Sequence, residues 1–209
     1  MSRLAENLAL LLLDDETGKS TVDLGRRHRA VGSAVLLDLV RAGRLTIPAT
    51  SDSEPRVQIV GSGSTGDAAL DAALAKLSDS PKVGWAAENA GHEAWKPLLE
   101  LLAEDGAIRL EEQRVLGVIK VKTWPAADPT RERAVRDAIA AALQGGRPDE
   151  ETAVLITILH GIGQVPGAGD PAVKARAEEI AKTAAASGPL KDAFHGLDTL
   201  PAFILFAAS

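Results

Sequence analysis

The chain has 209 residues, of which 45% are hydrophobic but only 3% aromatic, with a formal net charge of −6. That length suits a single domain, residues 1–209, whose interior is filled by Leu, Val, Ile and Ala. The acidic balance argues against a general nucleic-acid binder. The absence of cysteine excludes disulfides, thiolate metal sites and cysteine nucleophiles, and suits a reducing cytosol.

From the N-terminus, residues 3–13 read as a helix ended by the acidic turn Asp14-Asp-Glu-Thr-Gly18. No signal peptide is evident, since the apolar run 8–13 is short and meets Asp14 at once. A second helix spans about 24–42, with Val31, Val35, Leu36 and Leu39 on a buried stripe and Gly43 as its stop. Short strands follow at 44–47 and 56–60. Helices come next at 67–77 and about 84–104, the latter ending at Gly106. A hairpin is expected over 107–123, then helices near 129–144, 149–162 and 171–186. A last apolar helix closes the chain around Pro201. It is too short for a bilayer, which takes about 20 apolar residues. The expected fold is mainly α, a multi-helix globular domain with two small β-hairpins.

The hairpin segment Arg114-Val-Leu-Gly-Val-Ile-Lys-Val-Lys-Thr-Trp-Pro125 stands apart from the helical, acidic chain around it. Val115, Leu116, Val118 and Ile119, interrupted by Gly117, form an apolar stretch flanked by Arg114, Lys120 and Lys122. Apolar residues that dip below lipid headgroups, with cations at the phosphates, give a membrane-touching surface; each basic residue adds about 1 kcal/mol. The plainer reading is a buried strand with its lysines on the solvent face.

Three other patterns bear on function. The segments 36–45 and 98–108 both run helix, Gly, strand and second strand, the order of a winged helix. The first segment offers Arg41, but the helix of the second would offer Glu100, Glu104 and Asp105 to a phosphate backbone, so nucleic-acid binding is not expected. Gly61-Ser-Gly-Ser-Thr-Gly66 matches a dinucleotide fingerprint, yet Asp67 stands where a pyrophosphate would sit and no parallel strand follows. His28, His92, His160 and His195 share no ligand spacing, and no hydrolase or Walker pattern occurs. Trp85 and Trp95 read as core or interface residues. No enzyme, metal or cofactor is expected.

Three blocks, Leu8-Ala-Leu-Leu-Leu-Leu-Asp-Asp-Glu-Thr-Gly18, Leu36-Leu-Asp-Leu-Val-Arg-Ala-Gly-Arg-Leu45 and Thr65-Gly-Asp-Ala-Ala-Leu-Asp-Ala-Ala-Leu74, resemble the Golgi phosphoprotein 3 family. Asp105-Gly-Ala-Ile108 and the segment 115–125 resemble that family's hydrophobic hairpin. The resemblance implies a mostly helical fold and peripheral attachment to phosphatidylinositol 4-phosphate membranes, with the hairpin inserting or mediating oligomerisation. The Ala- and Arg-rich style looks like a bacterial member.

The family's headgroup pocket uses a Trp before the second helix, an Arg within it, and two Arg three apart on the pre-hairpin helix. Carried onto this chain, those positions fall near Asp23, Gly32, His92 and Trp95, none of the matching type. General attachment to anionic phospholipid is then expected through neighbouring cations: Arg26 and Arg29 at the start of the second helix, Lys96, and the hairpin's Arg114 and Lys120. The hairpin residues Val115, Leu116, Gly117, Val118 and Ile119 would insert or self-associate. The expected protein is a cytoplasmic, peripherally membrane-associated adaptor. The alternative is a soluble scaffold or regulatory domain whose hairpin binds a protein or its own twin.

Overall fold

The computed structural model describes residues 3–47, 56–77, 80–115 and 119–186. Its elements are α1 (Arg3–Leu11), α2 (Leu24–Arg41), β1 (Leu45–Thr46), β2 (Gln58–Ile59), α3 (Ala68–Leu74) and α4 (Val83–Glu104). They continue with β3 (Glu111–Val115), β4 (Ile119–Thr123), α5 (Thr130–Leu143), α6 (Glu150–Gly161) and α7 (Pro171–Ala186). The order follows the expectation, with the strands β1 and β2 cut to two residues each and α3 ending three residues early. The apolar stretch around Pro201 and the residues Leu116, Gly117 and Val118 lie outside the described residues.

α2 is the axis of the fold. The anticipated stripe of Val31, Val35, Leu36 and Leu39 is fully buried, but every other residue from position 30 to 39 is buried as well. A helix buried on all sides is one that others surround, and α1, α3, α4 and α6 all contact it. Gly32 and Gly91 set the closest approach. A Cβ on Gly32 would sit 1.7 Å from the Ala87 carbonyl oxygen, and one on Gly91 would sit 1.8 Å from that of His28. The α2 and α4 backbones therefore touch, which only glycine permits.

The internal echo of the sequence is a repeated helix end. After α2, Gly43 takes φ 66°, its N–H donates to Val40 O and Arg44 N–H donates to Leu39 O. After α4, Gly106 takes φ 76°, donating to Ala103 O while Ala107 N–H donates to Leu102 O. Both are Schellman caps, and each turns the chain into an antiparallel pair, β1–β2 or β3–β4. No parallel strand pairing occurs among the described residues.

The loop 61–66 closes on its own helix. Asp67 accepts from Ala69 N–H and Leu70 N–H, and Asp71 accepts from Ser64 Oγ and Thr65 Oγ1. Carboxylates fill the helix start that a pyrophosphate would need.

A main apolar cluster joins α1–α4 with α5–α7. A smaller one gathers Ala9, Leu10 and Leu13 with Leu99, Leu102, Ala107 and Ile108. Trp124, at the root of the β3–β4 hairpin, packs on the second cluster, while Trp95 packs on both. The acidic turn abuts the same root. Gly18, at φ 61°, has no room for a Cβ, which would lie 2.2 Å from Trp124 N. Among the described residues, no helix is long and apolar enough to cross a membrane.

Candidate anion-binding site

The α2–α4 crossing fixes the phase of both helices. Contacts step in opposite chain directions from it, with Gly32 against Ala87, His28 against Gly91 and His92, and Arg27 against Trp95. The Arg27 guanidinium lies 4.5 Å from the Trp95 ring centroid, in range for a cation–π contact. Its Nη2 is 3.3 Å from His28 Nε2. The His28 ring, 7% exposed, meets the His92 ring edge-to-face with centroids 5.1 Å apart.

Arg27 of α2 thus meets a ring of α4 while Arg29 lies toward Glu88, and the two charges are unevenly satisfied. The Nε atoms of Arg27 and Arg29 are buried and find no hydrogen-bond partner among the described residues. Arg29 has Glu88 at 3.9 Å, a loose ion pair. Arg27 has no carboxylate within salt-bridge distance among the described residues. Burial pushes its pKa down from the usual arginine value, yet a guanidinium stays protonated in proteins. Burial also lowers the pKa of His28, followed by the charges of Arg27 and His92, with Glu88 opposing them.

The cations expected from sequence are distributed differently. Arg26 is turned back to the helix start, where Nε lies 3.2 Å from Asp23. That Asp23 is the N-cap, accepting from Arg26 N–H at 3.0 Å, so a carboxylate already occupies the end of α2. Lys96 pairs with Glu100 at 3.4 Å. Arg114 and Lys120 stand directly opposite each other across the hairpin. The side chains from 113 to 120 are not described.

Arg27, His28 and Trp95 are the site residues that sequence reasoning left aside. Trp95, expected in a core or interface, is half-buried beneath Arg27, whereas Trp85 on the same helix is 47% exposed. The cue for Arg27 and Trp95 lay in the two helical glycines, whose pairing fixes which residues face each other.

The hairpin register is Glu111 to Thr123, Glu112 to Lys122, Gln113 to Val121, Arg114 to Lys120 and Val115 to Ile119. Its root carries an acid–base rung, with Lys122 Nζ 3.5 Å from Glu112. Two rungs on, the backbone register sets one basic residue type against another. An apolar rung follows toward the turn. A cavity of about 420 Å³ lies elsewhere, between the α5–α6 connection and α7. Its Arg176 is already committed to Ala142 O, Gly146 O and Glu179.

No curated protein matches this chain. The Golgi phosphoprotein 3 (GPP34) family model matches residues 4–196, and the helical fold with two small hairpins fits it; the chain belongs to the Golgi phosphoprotein 3 family.

Proposed function

We propose that this protein is a non-enzymatic, peripheral membrane-binding adaptor that attaches to anionic lipid by two elements acting together. The first is the cation cluster at the α2–α4 crossing, and the second is the β3–β4 hairpin. The carrying observation is Arg27, a guanidinium stacked on Trp95 with a buried, unbonded Nε and no carboxylate neighbour among the described residues. A cation held by a ring and left without a counter-ion is suited to take an oxyanion from outside. Leu24, 59% exposed in the first turn of the same helix, adds an apolar contact beside it.

The arrangement also bears on the family's headgroup pocket. At Gly32, near which the family pattern has an arginine, the helix crossing leaves no space for a side chain. The aromatic ring comes from α4 as Trp95, where the family pattern has its Trp before the second helix, and the arginine on it comes from α2 as Arg27. Attachment to anionic phospholipid in general is therefore the reading favoured over selectivity for one phosphoinositide.

The hairpin supports the second element. Its cationic rung of Arg114 and Lys120 would sit at headgroup phosphates, which relieve the like-charge opposition, while the rung of Val115 and Ile119 and the turn go deeper. Burial of that apolar surface contributes at roughly 25 cal/mol per Å². The root packs on the cluster that also supports Trp95, so both elements rest on one part of the molecule. The rival reading is self-association or protein docking by the hairpin. It draws on the two-stranded sheet, which pairs with no other described strand.

Co-sedimentation with vesicles tests the proposal. Binding is expected to phosphatidylcholine–phosphatidylserine vesicles and not to phosphatidylcholine alone, weakening with salt over a Debye length of about 10 Å at 0.1 M. Equal binding to both vesicle types, or none to either, overturns it. A concentration-dependent dimer with no vesicle binding supports the rival.

A further inference from the structure

We propose that His28 couples proton uptake to oxyanion binding at the α2–α4 cluster, so that a phosphate- or sulfate-type anion is held more tightly as pH falls. The inference rests on reading that cluster as an anion site, and adds to it a regulating proton.

The geometry around one nitrogen carries the argument. His28 Nε2 lies 3.3 Å from Arg27 Nη2. A guanidinium can only donate, so this nitrogen must accept, and the neutral ring carries its proton on Nδ1. A second proton could only go to Nε2. It would abolish the bond from Arg27 and bring two cations into contact in a ring site that is 7% exposed.

The charged groups around His28 reinforce that resistance. On its own helix stand Arg27 and Arg29, and on α4 the ring of His92 lies 5.1 Å away. The carboxylates near it are partly engaged, Glu88 toward Arg29 and Glu93 with His92 Nδ1 at 3.1 Å. Trp95, the other ring at the cluster, offers its face to Arg27 and no counter-charge. Without an anion this arrangement favours neutral His28, in keeping with its depressed pKa.

An oxyanion between Arg27 and His28 reverses the balance. It accepts from the guanidinium released by His28 and from the newly protonated Nε2–H, so each cation gains an acceptor where it had faced a like charge. One proton moves from solvent to His28 Nε2, and no covalent bond between heavy atoms changes. By linkage, an anion that raises the pKa of His28 must bind more tightly to the protonated form by the same factor. Each unit of pKa separation corresponds to about tenfold in affinity. The sign is fixed: affinity rises as pH falls from the bound-state pKa toward the free-state one.

Two measurements on the intact chain test the coupling and separate a free anion from a membrane. The first is an NMR titration of the His28 ring with and without inorganic sulfate, whose charge is constant over the range. The second is co-sedimentation with phosphatidylcholine–phosphatidylserine vesicles near pH 7.5 and pH 5.5, comparing wild type with His28→Gln. The expected result is a His28 midpoint raised by about one unit in sulfate. Wild-type vesicle binding should also gain about tenfold more on acidification than the variant. An unmoved midpoint in sulfate, with equal pH responses in both proteins, overturns the coupling even where vesicles bind. A raised midpoint without vesicle binding at either pH keeps the coupling, assigns it to a free oxyanion and sinks the membrane reading. A raised midpoint with equal vesicle responses likewise assigns the coupling to free oxyanion alone. Should His28→Gln fail to fold, the wild-type titration decides.

Discussion

Gly32 and Gly91 face each other across the α2–α4 crossing with no room for one added carbon. A Cβ on either would lie within 2 Å of a carbonyl oxygen of the opposite helix, Ala87 for Gly32 and His28 for Gly91. The overlap is with backbone, which cannot swing aside as a flexible side chain would. Gly91→Ala is therefore expected to force the helices apart and destabilise the fold by about 3 kcal/mol, the upper part of the range for overpacked cores. Urea unfolding measures this. The same separation moves His28 from His92 and Arg27 from Trp95, so quenching of Trp95 should change with it. A variant as stable as wild type would show that the crossing is looser than the contacts require.

The helices were legible in the sequence because their ends are chemically marked. Asp23, Asp67 and Asp149 cap α2, α3 and α6, and Gly43 and Gly106 stop α2 and α4. The candidate site was less legible for a reason that lies in α2. A helix buried all round from residue 30 to 39 shows no stripe to fix its phase, so nothing in periodicity distinguished Arg27 from Arg26 or Arg29. The phase comes from Gly32 meeting Gly91, a contact 59 positions apart in the chain, by subtraction of their numbers. The capped end of α2 looked like an anion site because two arginines stand near it, whereas Asp23 supplies the negative charge internally.

Asp38 gives a pH dependence that sequence alone would not suggest. It sits in the last turn of α2, 6% exposed, and accepts from Ala5 N–H at 3.0 Å. Burial pushes its pKa up to about 7; the Ala5 bond and Arg41 pull it down, while Glu151 and Asp67 push it further up. With the unfolded value near 3.8, the native state holds a proton that the unfolded state lacks between those two values. Stability from this group is fully present below about pH 4 and is lost as pH rises through about 7. Asp38→Asn keeps a carbonyl acceptor for Ala5 N–H and cannot ionise. Relative to the variant, wild type should lose roughly 2 kcal/mol between about pH 5 and pH 7. Parallel stability profiles for the two proteins would show that Asp38 titrates normally.

Arg27 and Arg26 are neighbours in sequence with opposite surroundings, which makes them a matched pair for testing the site. Arg27→Ala removes the cation on Trp95 and should weaken binding to phosphatidylserine vesicles about fivefold, the equivalent of about 1 kcal/mol. Its cost in stability should stay near the value of one cation–π contact, about 1 kcal/mol. Arg26→Ala removes a charge already compensated by Asp23 at the surface, and should change binding by no more than about twofold. The reverse ranking would move the headgroup contact from the α4 side of α2 to its N-terminal end.

Substitution at positions 115 and 116 separates a membrane or partner contact from an ordinary core strand. Val115 pairs with Ile119 at the last described rung, one step beyond the cationic rung of Arg114 and Lys120. If Val115 and Leu116 were buried against the body of the protein, changing both to Asp would bury uncompensated carboxylates and cost several kcal/mol, on the order of 3 or more. The chemistry of the neighbourhood argues otherwise. Two opposed cations next to the turn, and a glycine at 117, are poor material for a buried strand centre, where glycine costs packing and entropy. The double change Val115→Asp with Leu116→Asp is therefore expected to leave the thermal midpoint within a few degrees of wild type. Vesicle binding should be abolished by it, because two carboxylates would enter the headgroup layer in place of apolar surface. Thermal scans and co-sedimentation on the same preparation read both quantities. A variant that unfolds would make the turn part of the core. A folded variant that keeps its vesicle binding but loses a dimer seen by sedimentation would instead give the hairpin to self-association.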